Sequence, residues 1–386
     1  MERNLALFFD GTWNERETGE DAARNTNVLR MYAAVRPVHA GREQVAKYFE
    51  GVGTRWYDRI RGGVFGYGLD QNICAGYRWL VENYRPGDRV YVFGFSRGAY
   101  TARSLVGMVR NCGLVVRFDR VTPSGRMRVP FDELAADERD EVLDDMVERA
   151  YELYRDRGDA MRPKGEVAAR FRADYAIEIG VRCLGVWDTV GALGIPLGVF
   201  EPLNDERYRF HDTKLTRIVE NAFHAVALDE HRNPYRATLW EPADADHVGQ
   251  RIEQAWFPGA HADVGGGYAD DRRLADLALQ WMHERAEETG LGLAPVELGA
   301  PAAVLAVQAR IHDSFGDFLG GVWATLRQER HYRTVGQMAD GPQSLDASVL
   351  ARVNGGTDAE GRPYAPRNLG FEELFAAYRR EDRAAA

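Results

Sequence analysis

Cysteine is scarce in this chain: only Cys74, Cys112 and Cys183 occur, with no C-x-x-C spacing among them. That excludes a disulfide framework and a cysteine-based zinc site, and three free thiols fit synthesis in a reducing compartment. Long apolar runs are also missing. Leu5 to Phe9 is a run of only five residues before Asp10, too short for a secretory signal, and no stretch is long enough to span a bilayer. The chain is therefore expected to be cytoplasmic as synthesised. Basic charge is not in excess, since Lys and Arg number 49 against 59 Asp and Glu, a formal net charge of −10. Such a balance argues against a nucleic-acid partner and against strong electrostatic docking on anionic lipid. No internal repeat or low-complexity segment interrupts the sequence.

What is present is a globular composition, 45% hydrophobic over 386 residues, ample for a large core. The most informative stretch is Arg89 to Arg103. A β-branched and aromatic run, Val90 to Phe93, leads into Gly94-Phe95-Ser96-Arg97-Gly98, and Ala102, Leu105, Val106 and Val109 follow at helical spacing. Strand, tight turn and helix around G-x-S-x-G is the context of a nucleophile elbow, in which the serine stands above the sheet edge at a helix N-terminus.

Around it the pattern is α/β, with a mostly parallel sheet flanked by helices. Leu5–Phe9 and Val45–Phe49 read as strands, and Asn25 to Val35 and Asp70 to Tyr84 as helices. Gly51 to Gly68 is a glycine-punctuated loop. Residues 115–175 show no strand pattern and read as a helical insertion, with Phe131 to Asp156 as a long helix. Its buried stripe would be Leu143, Met146, Val147, Ala150, Tyr151 and Tyr154. Residues 132–159 hold twelve acids and four arginines, a face expected to be solvated. Ala176–Trp187 reads as a strand, Asn221–Leu228 as a strand or helix end, and Gln254–Phe257 as a short strand. Leu274–Glu288 is a clear helix, and Ala302–Ile311, Phe315–Arg330 and Phe371–Tyr378 look helical. These patterns suggest a catalytic domain over 1–290 and a mostly helical C-terminal extension over 291–386.

A serine needs a base to take its proton and a third group to orient that base. His261 suits the first task, because it follows a strand by three residues and lies in a Gly-rich loop free to swing over the elbow. His224 sits in an apolar run, a core position. For the acid the residues leave two candidates open: Asp188, ending the better-defined strand, and Asp229, closer to His261 in sequence. Oxyanion donors would be the Arg97 N–H and the Gly11-Thr12 loop after the first strand. Asp10 and Asp263, with Asp188, could alternatively ligand a metal, but their spacing is not diagnostic, and no metal or cofactor is expected.

Five stretches taken together resemble one family. They are Phe8 to Asn14 with Asn25 to Val28, Gly94 to Ala99, Gly185 to Gly191, Ala227 to Arg232, and Trp256 to Tyr268. The family consists of α/β-hydrolase domains and includes the first class of type VI secretion phospholipase effectors. The resemblance implies an α/β-hydrolase-like fold and a Ser-Asp-His triad at Ser96, Asp188 and His261, with Asp229 kept as the alternative acid. It also implies ester or phospholipid substrates, contact with a membrane surface, export without a signal peptide, and a secretion or immunity partner. One departure stands out: where the family often has His-x-Ser-Val-x-x-Arg, this chain reads Asp346-Ala347-Ser348-Val349-Leu350-Ala351-Arg352. Two other readings compete with the serine esterase. One is a metal-dependent phosphoesterase on Asp10, Asp188, Asp263 and His261, and the other a non-catalytic scaffold on the same fold.

Overall fold

Strands buried on both faces suit a parallel sheet, and the central strands of this chain are of that kind. In the computed structural model, which describes residues 2–11, 24–51, 67–122, 125–135, 138–156, 158–191, 215–241, 249–317, 329–337 and 341–385, twelve strands are present. They are β1 (Asn4–Phe9), β2 (Val38–His39), β3 (Arg42–Phe49), β4 (Arg89–Phe95), β5 (Leu114–Val115), β6 (Arg117–Thr122), β7 (Gly125–Pro130), β8 (Ala176–Ile177), β9 (Val181–Trp187), β10 (Asn221–Ala227), β11 (Arg251–Phe257) and β12 (Gln343–Leu345). Eight of them form one sheet in the order β12-β11-β10-β9-β4-β1-β3-β2. Every pairing is parallel except that of β2, which closes one edge antiparallel to β3. This is the α/β-hydrolase-like class, with the elbow strand β4 at the centre.

Alternation along the strands feeds two cores. Leu5, Leu7 and Phe9 of β1 and Val90 and Val92 of β4 face the helices Tyr67–Asn83, Arg97–Cys112 and Arg139–Arg155. Ala6, Phe8, Tyr91 and Phe93 point the other way, where Val28 and Met31 of the helix Asn27–Ala34 and Ala278, Leu279 and Met282 of Arg273–Glu288 cover them.

The insertion departs from its expected all-helical character. β6 and β7 form an antiparallel hairpin, and β5 pairs with β8. Four arginines and one aspartate are scattered through its twelve positions, so the inward pair Phe118 and Val129 is too short a signal for a strand pattern to emerge. The helix spans Arg139–Arg155, and Leu153 rather than Tyr151 or Tyr154 completes its buried stripe. Part of its acidic face is paired: Arg78 of the neighbouring helix holds Asp140 and Asp144. The long strand expected over Ala176–Trp187 is broken at 178–180 into β8 and β9.

Residues beyond 290 do more than pack against the outside. β12 joins the sheet edge beside β11. Helices there are Ala302–Gln308, Ala347–Gly355 and Phe371–Ala385. The described ends of the expected Phe315–Arg330 helix are turn and irregular backbone, and residues 318–328 lie outside the described residues. At the start of Ala347–Gly355, Asp346 takes the N-cap, accepting from Ser348 N at 2.9 Å, so the family's histidine position carries a helix cap here.

Candidate active site

Strand β4 turns into the helix Arg97–Cys112 through Ser96, held at φ 58° and ψ −120°. The turn is tight enough to require both motif glycines. A Cβ on Gly94 would lie 2.4 Å from the Gly98 carbonyl oxygen, and one on Gly98 would lie 2.1 Å from that of Phe9. The elbow thus sits directly against the C-terminal end of β1. The first bond of the helix runs from Tyr100 N–H to the Ser96 carbonyl at 3.2 Å, so the preceding N–H groups, including that of Arg97, have no intrahelical partner. Burial lowers the Arg97 guanidinium to about 10.

Register brings the other loops to the same edge. Phe95 is paired with Trp187, and Trp187 with Ala225, so Ser96 and Asp188 leave adjacent strands side by side. Asp188, fully buried and at φ 36°, accepts from Ala227 N–H at 2.8 Å. His261 does not ride on a free loop but opens the short helix His261–Gly265, its backbone N–H directed at Glu230 Oε2 at 3.3 Å. Its Nδ1 lies 2.6 Å from Asp188 Oδ2. A carboxylate at Nδ1 selects the Nδ1–H tautomer and leaves Nε2 as the acceptor. The ring is flanked by Phe95, centroids 4.6 Å apart, and by Tyr235 at 5.2 Å.

Arg333, at a position that no motif or periodicity marks, completes this cluster. Its Nη1 donates to Asp188 Oδ1 at 2.6 Å and to the Ala227 carbonyl at 2.6 Å. Nη2 donates to Asp188 Oδ2 at 3.0 Å and to the Tyr235 carbonyl at 2.5 Å. Burial alone would raise the Asp188 pKa, but Arg333 and the His261 hydrogen bond outweigh it and hold the carboxyl below its usual range. Beside them Glu230 is buried and paired to Arg232 at 2.7 Å.

The other sequence candidates lie elsewhere or are occupied. Asp229 accepts from Gly259 N–H at 2.7 Å and Tyr364 OH at 2.9 Å. Asp10 accepts from Thr26 Oγ1 and Tyr48 OH, both at 2.6 Å. Gly11, expected as an oxyanion donor, gives its N–H to Asp10 Oδ1 at 2.6 Å, because the carboxylate folds back onto its own loop. Thr12 and the apolar loop Ala192–Phe200 lie outside the described residues. Asp263 meets His312 Nδ1 at 2.6 Å, and Asp270 meets the far nitrogen of the same ring at 3.1 Å. His224 is a core residue, its Nε2 accepting from Thr189 N–H at 3.1 Å. A histidine held by two carboxylates was not legible at His312, whose neighbours in sequence carry no site pattern.

An elbow serine, a strand-end carboxylate and a histidine gathered at the C-terminal edge of a mostly parallel sheet define the α/β-hydrolase class. Residues 3–285 match the catalytic domain of Tle1-like phospholipase effectors of the type VI secretion system, and the chain belongs to this family. An uncharacterized protein of Saccharomyces cerevisiae is 27% identical over 262 residues, which cover 62% of this chain and 33% of that relative. The chain therefore aligns with about a third of that protein's length. Among solved structures, the Tle1 effector bound to the VgrG spike is similar at 16% identity and a TM-score of 0.43, covering 97% of this chain and 82% of that one. An uncharacterized protein from Pseudomonas aeruginosa is similar at 17% identity and a TM-score of 0.40, covering 85% of this chain and 51% of that one, about half its length. Thermogutta terrifontis esterase 2, phosphoramylated by tabun, is similar at 15% identity and a TM-score of 0.37, covering 76% and 86%.

Proposed function

We propose that this protein is a serine hydrolase that cleaves carboxylic esters of phospholipids through Ser96, His261 and Asp188. The observation that carries the reading is the 2.6 Å contact between His261 Nδ1 and Asp188 Oδ2 at the sheet edge from which the elbow serine also rises. Ser96 Oγ attacks the ester carbonyl carbon while His261 Nε2 takes its proton, and Asp188 stabilises the imidazolium that forms. The oxyanion is held by the Arg97 N–H at the start of the elbow helix, while the Gly11 N–H is engaged by the Asp10 carboxylate. Collapse breaks the ester C–O bond, and the leaving alkoxide receives the proton from His261. Water then attacks the acyl-serine by the same route, releasing the fatty acid and restoring the free serine.

Family membership supports phospholipids as the substrate and export by a signal-peptide-independent secretion system with a spike or immunity partner. Among the described residues no helix is long and apolar enough to cross a membrane. The catalytic unit extends past residue 290, because Arg333 reaches Asp188 from there. The test is covalent labelling by a fluorophosphonate followed by a panel of phospholipid and simple esters. Labelling at Ser96 with turnover of an acyl ester is expected. Absence of labelling in folded protein would overturn the serine mechanism.

A further inference from the structure

Asp188 is fully buried, and a buried carboxylate needs a positive charge beside it. Two groups can supply one. His261 can do so only as an imidazolium, the form that cannot accept the Ser96 proton. Arg333 carries a permanent charge and sits where it satisfies this demand in place of the histidine. Its four Nη contacts fix both the carboxylate and the two backbone segments around it, the end of β10 at Ala227 and the turn at Tyr235.

We propose that Arg333 is the positioning residue of this active site: it neutralises and orients Asp188 so that His261 rests neutral and its Nε2 stays available as the base. The inference rests on the triad reading above and adds to it a residue beyond position 285, where the family match ends. The remaining charged or titratable groups around the dyad do not replace it. Glu230 is committed to Arg232 through two bonds of 2.8 and 2.7 Å. Arg232 in turn stacks on Tyr235, 3.6 Å from the ring centroid. His224 makes its bond to the Thr189 amide, and Arg103 lies over Trp240. Among the described residues the ion pairs of Asp188 are those to Arg333 and His261, and neither Arg97 nor His331 shares them.

The experiment uses the full chain with Arg333→Met, Arg333→Gln and Arg333→Lys. Two readouts are followed against pH: ester turnover, and the ring NMR titration of His261, assigned with His261→Gln and recorded in a Ser96→Ala background. Removing the charge in Met or Gln should move both the acidic limb of kcat/KM and the His261 midpoint upward by about one pH unit or more. At pH 7 kcat should fall at least about tenfold, with a smaller change in KM. Lys, which keeps the charge but cannot make the four contacts, should restore the limb to within about half a unit while kcat recovers only in part. A folded Met or Gln variant that titrates like wild type would overturn the proposal, and so would a Lys variant whose limb moves up by a full unit. The Lys arm decides the matter even where both neutral variants fail to fold. Failure of the triad reading is separate: it shows as no fluorophosphonate labelling of wild type, while the His261 titration still reports on Arg333.

Discussion

The amide of Ser96 donates to the carbonyl of Trp187 at 3.1 Å, tying the nucleophile turn to the strand that ends in Asp188. Both residues leave the sheet with positive φ, 58° at Ser96 and 36° at Asp188. Among the described residues the other non-glycine with positive φ is Ala40, so this kind of strain is concentrated at the site. Ser96→Gly should therefore stabilise the fold by about 1 kcal/mol while lowering ester turnover on the order of 10³-fold or more. Ser96→Ala should lose the same activity with stability close to wild type. Urea unfolding beside an ester assay checks both, and a folded Ser96→Ala that keeps wild-type turnover would sink the mechanism.

The two acid candidates separate by what each carboxylate touches. Asp188→Asn leaves the Arg333 charge buried without its partner and removes the group that stabilises the imidazolium. It should lower kcat by about 10³ to 10⁴ and destabilise the fold by about 3–5 kcal/mol. Asp229→Asn keeps an oxygen to accept from Gly259 and Tyr364, so its turnover should stay within about tenfold of wild type. Turnover is to be measured at a temperature where circular dichroism shows each variant folded. The large loss appearing at Asp229 instead would transfer the role.

Gly98 tests the backbone approach that seats the elbow on β1. A methyl group there would meet the carbonyl oxygens of Phe9 at 2.1 Å and Asp10 at 2.5 Å, both backbone atoms that cannot rotate away. Gly98→Ala should cost about 1–3 kcal/mol or more and displace the loop that follows β1. Calorimetry and labelling rate together check this, and an alanine variant as stable and as quickly labelled as wild type would contradict the packing.

How much of this could be read from the sequence follows from the range over which each feature is encoded. The elbow is local: Gly94, Ser96 and Gly98 lie between a clear strand and a clear helix. Asp188 was one of two candidates, because strand ends mark loops at the sheet edge but do not say which loop faces which. Only the register of β9 against β4 puts Asp188 beside Ser96. Arg333 was out of reach, since residues 329–337 form no helix or strand and the contact spans 145 residues. The strand β12 has only three residues, and the hairpin β6–β7 has its few apolar positions interrupted by four arginines and an aspartate, so neither has a periodicity to detect.

Stability should depend on pH through buried His224. Burial, chiefly, lowers its folded pKa to about 3, while the unfolded chain titrates near 6.5. As pH falls below 6.5 the unfolded state gains a proton that the folded state refuses, so stability declines, at most about 1.4 kcal/mol per pH unit, until about pH 3. His312 tilts the other way: burial opposes its charge, but Asp263 and Asp270 outweigh that and raise its pKa. Its contribution is complete below 6.5 and is lost as pH rises through the folded value. Asp188, with a depressed pKa, contributes above the ordinary carboxylate value near 3.9 and loses that only at lower pH. Between pH 4.5 and 6.5 the histidine signal comes from His224 and, in the same direction, from His331, whose pKa burial also lowers. Buried Asp229, Asp263 and Asp346, whose pKa values burial raises, slope against it in the same window. The measurement is therefore a difference, wild type against His224→Gln, which keeps an acceptor for the Thr189 amide. The stability advantage of wild type over the variant should shrink steadily from pH 6.5 to 4.5 in urea unfolding. A difference that does not change with pH would mean that His224 is not held neutral by its burial.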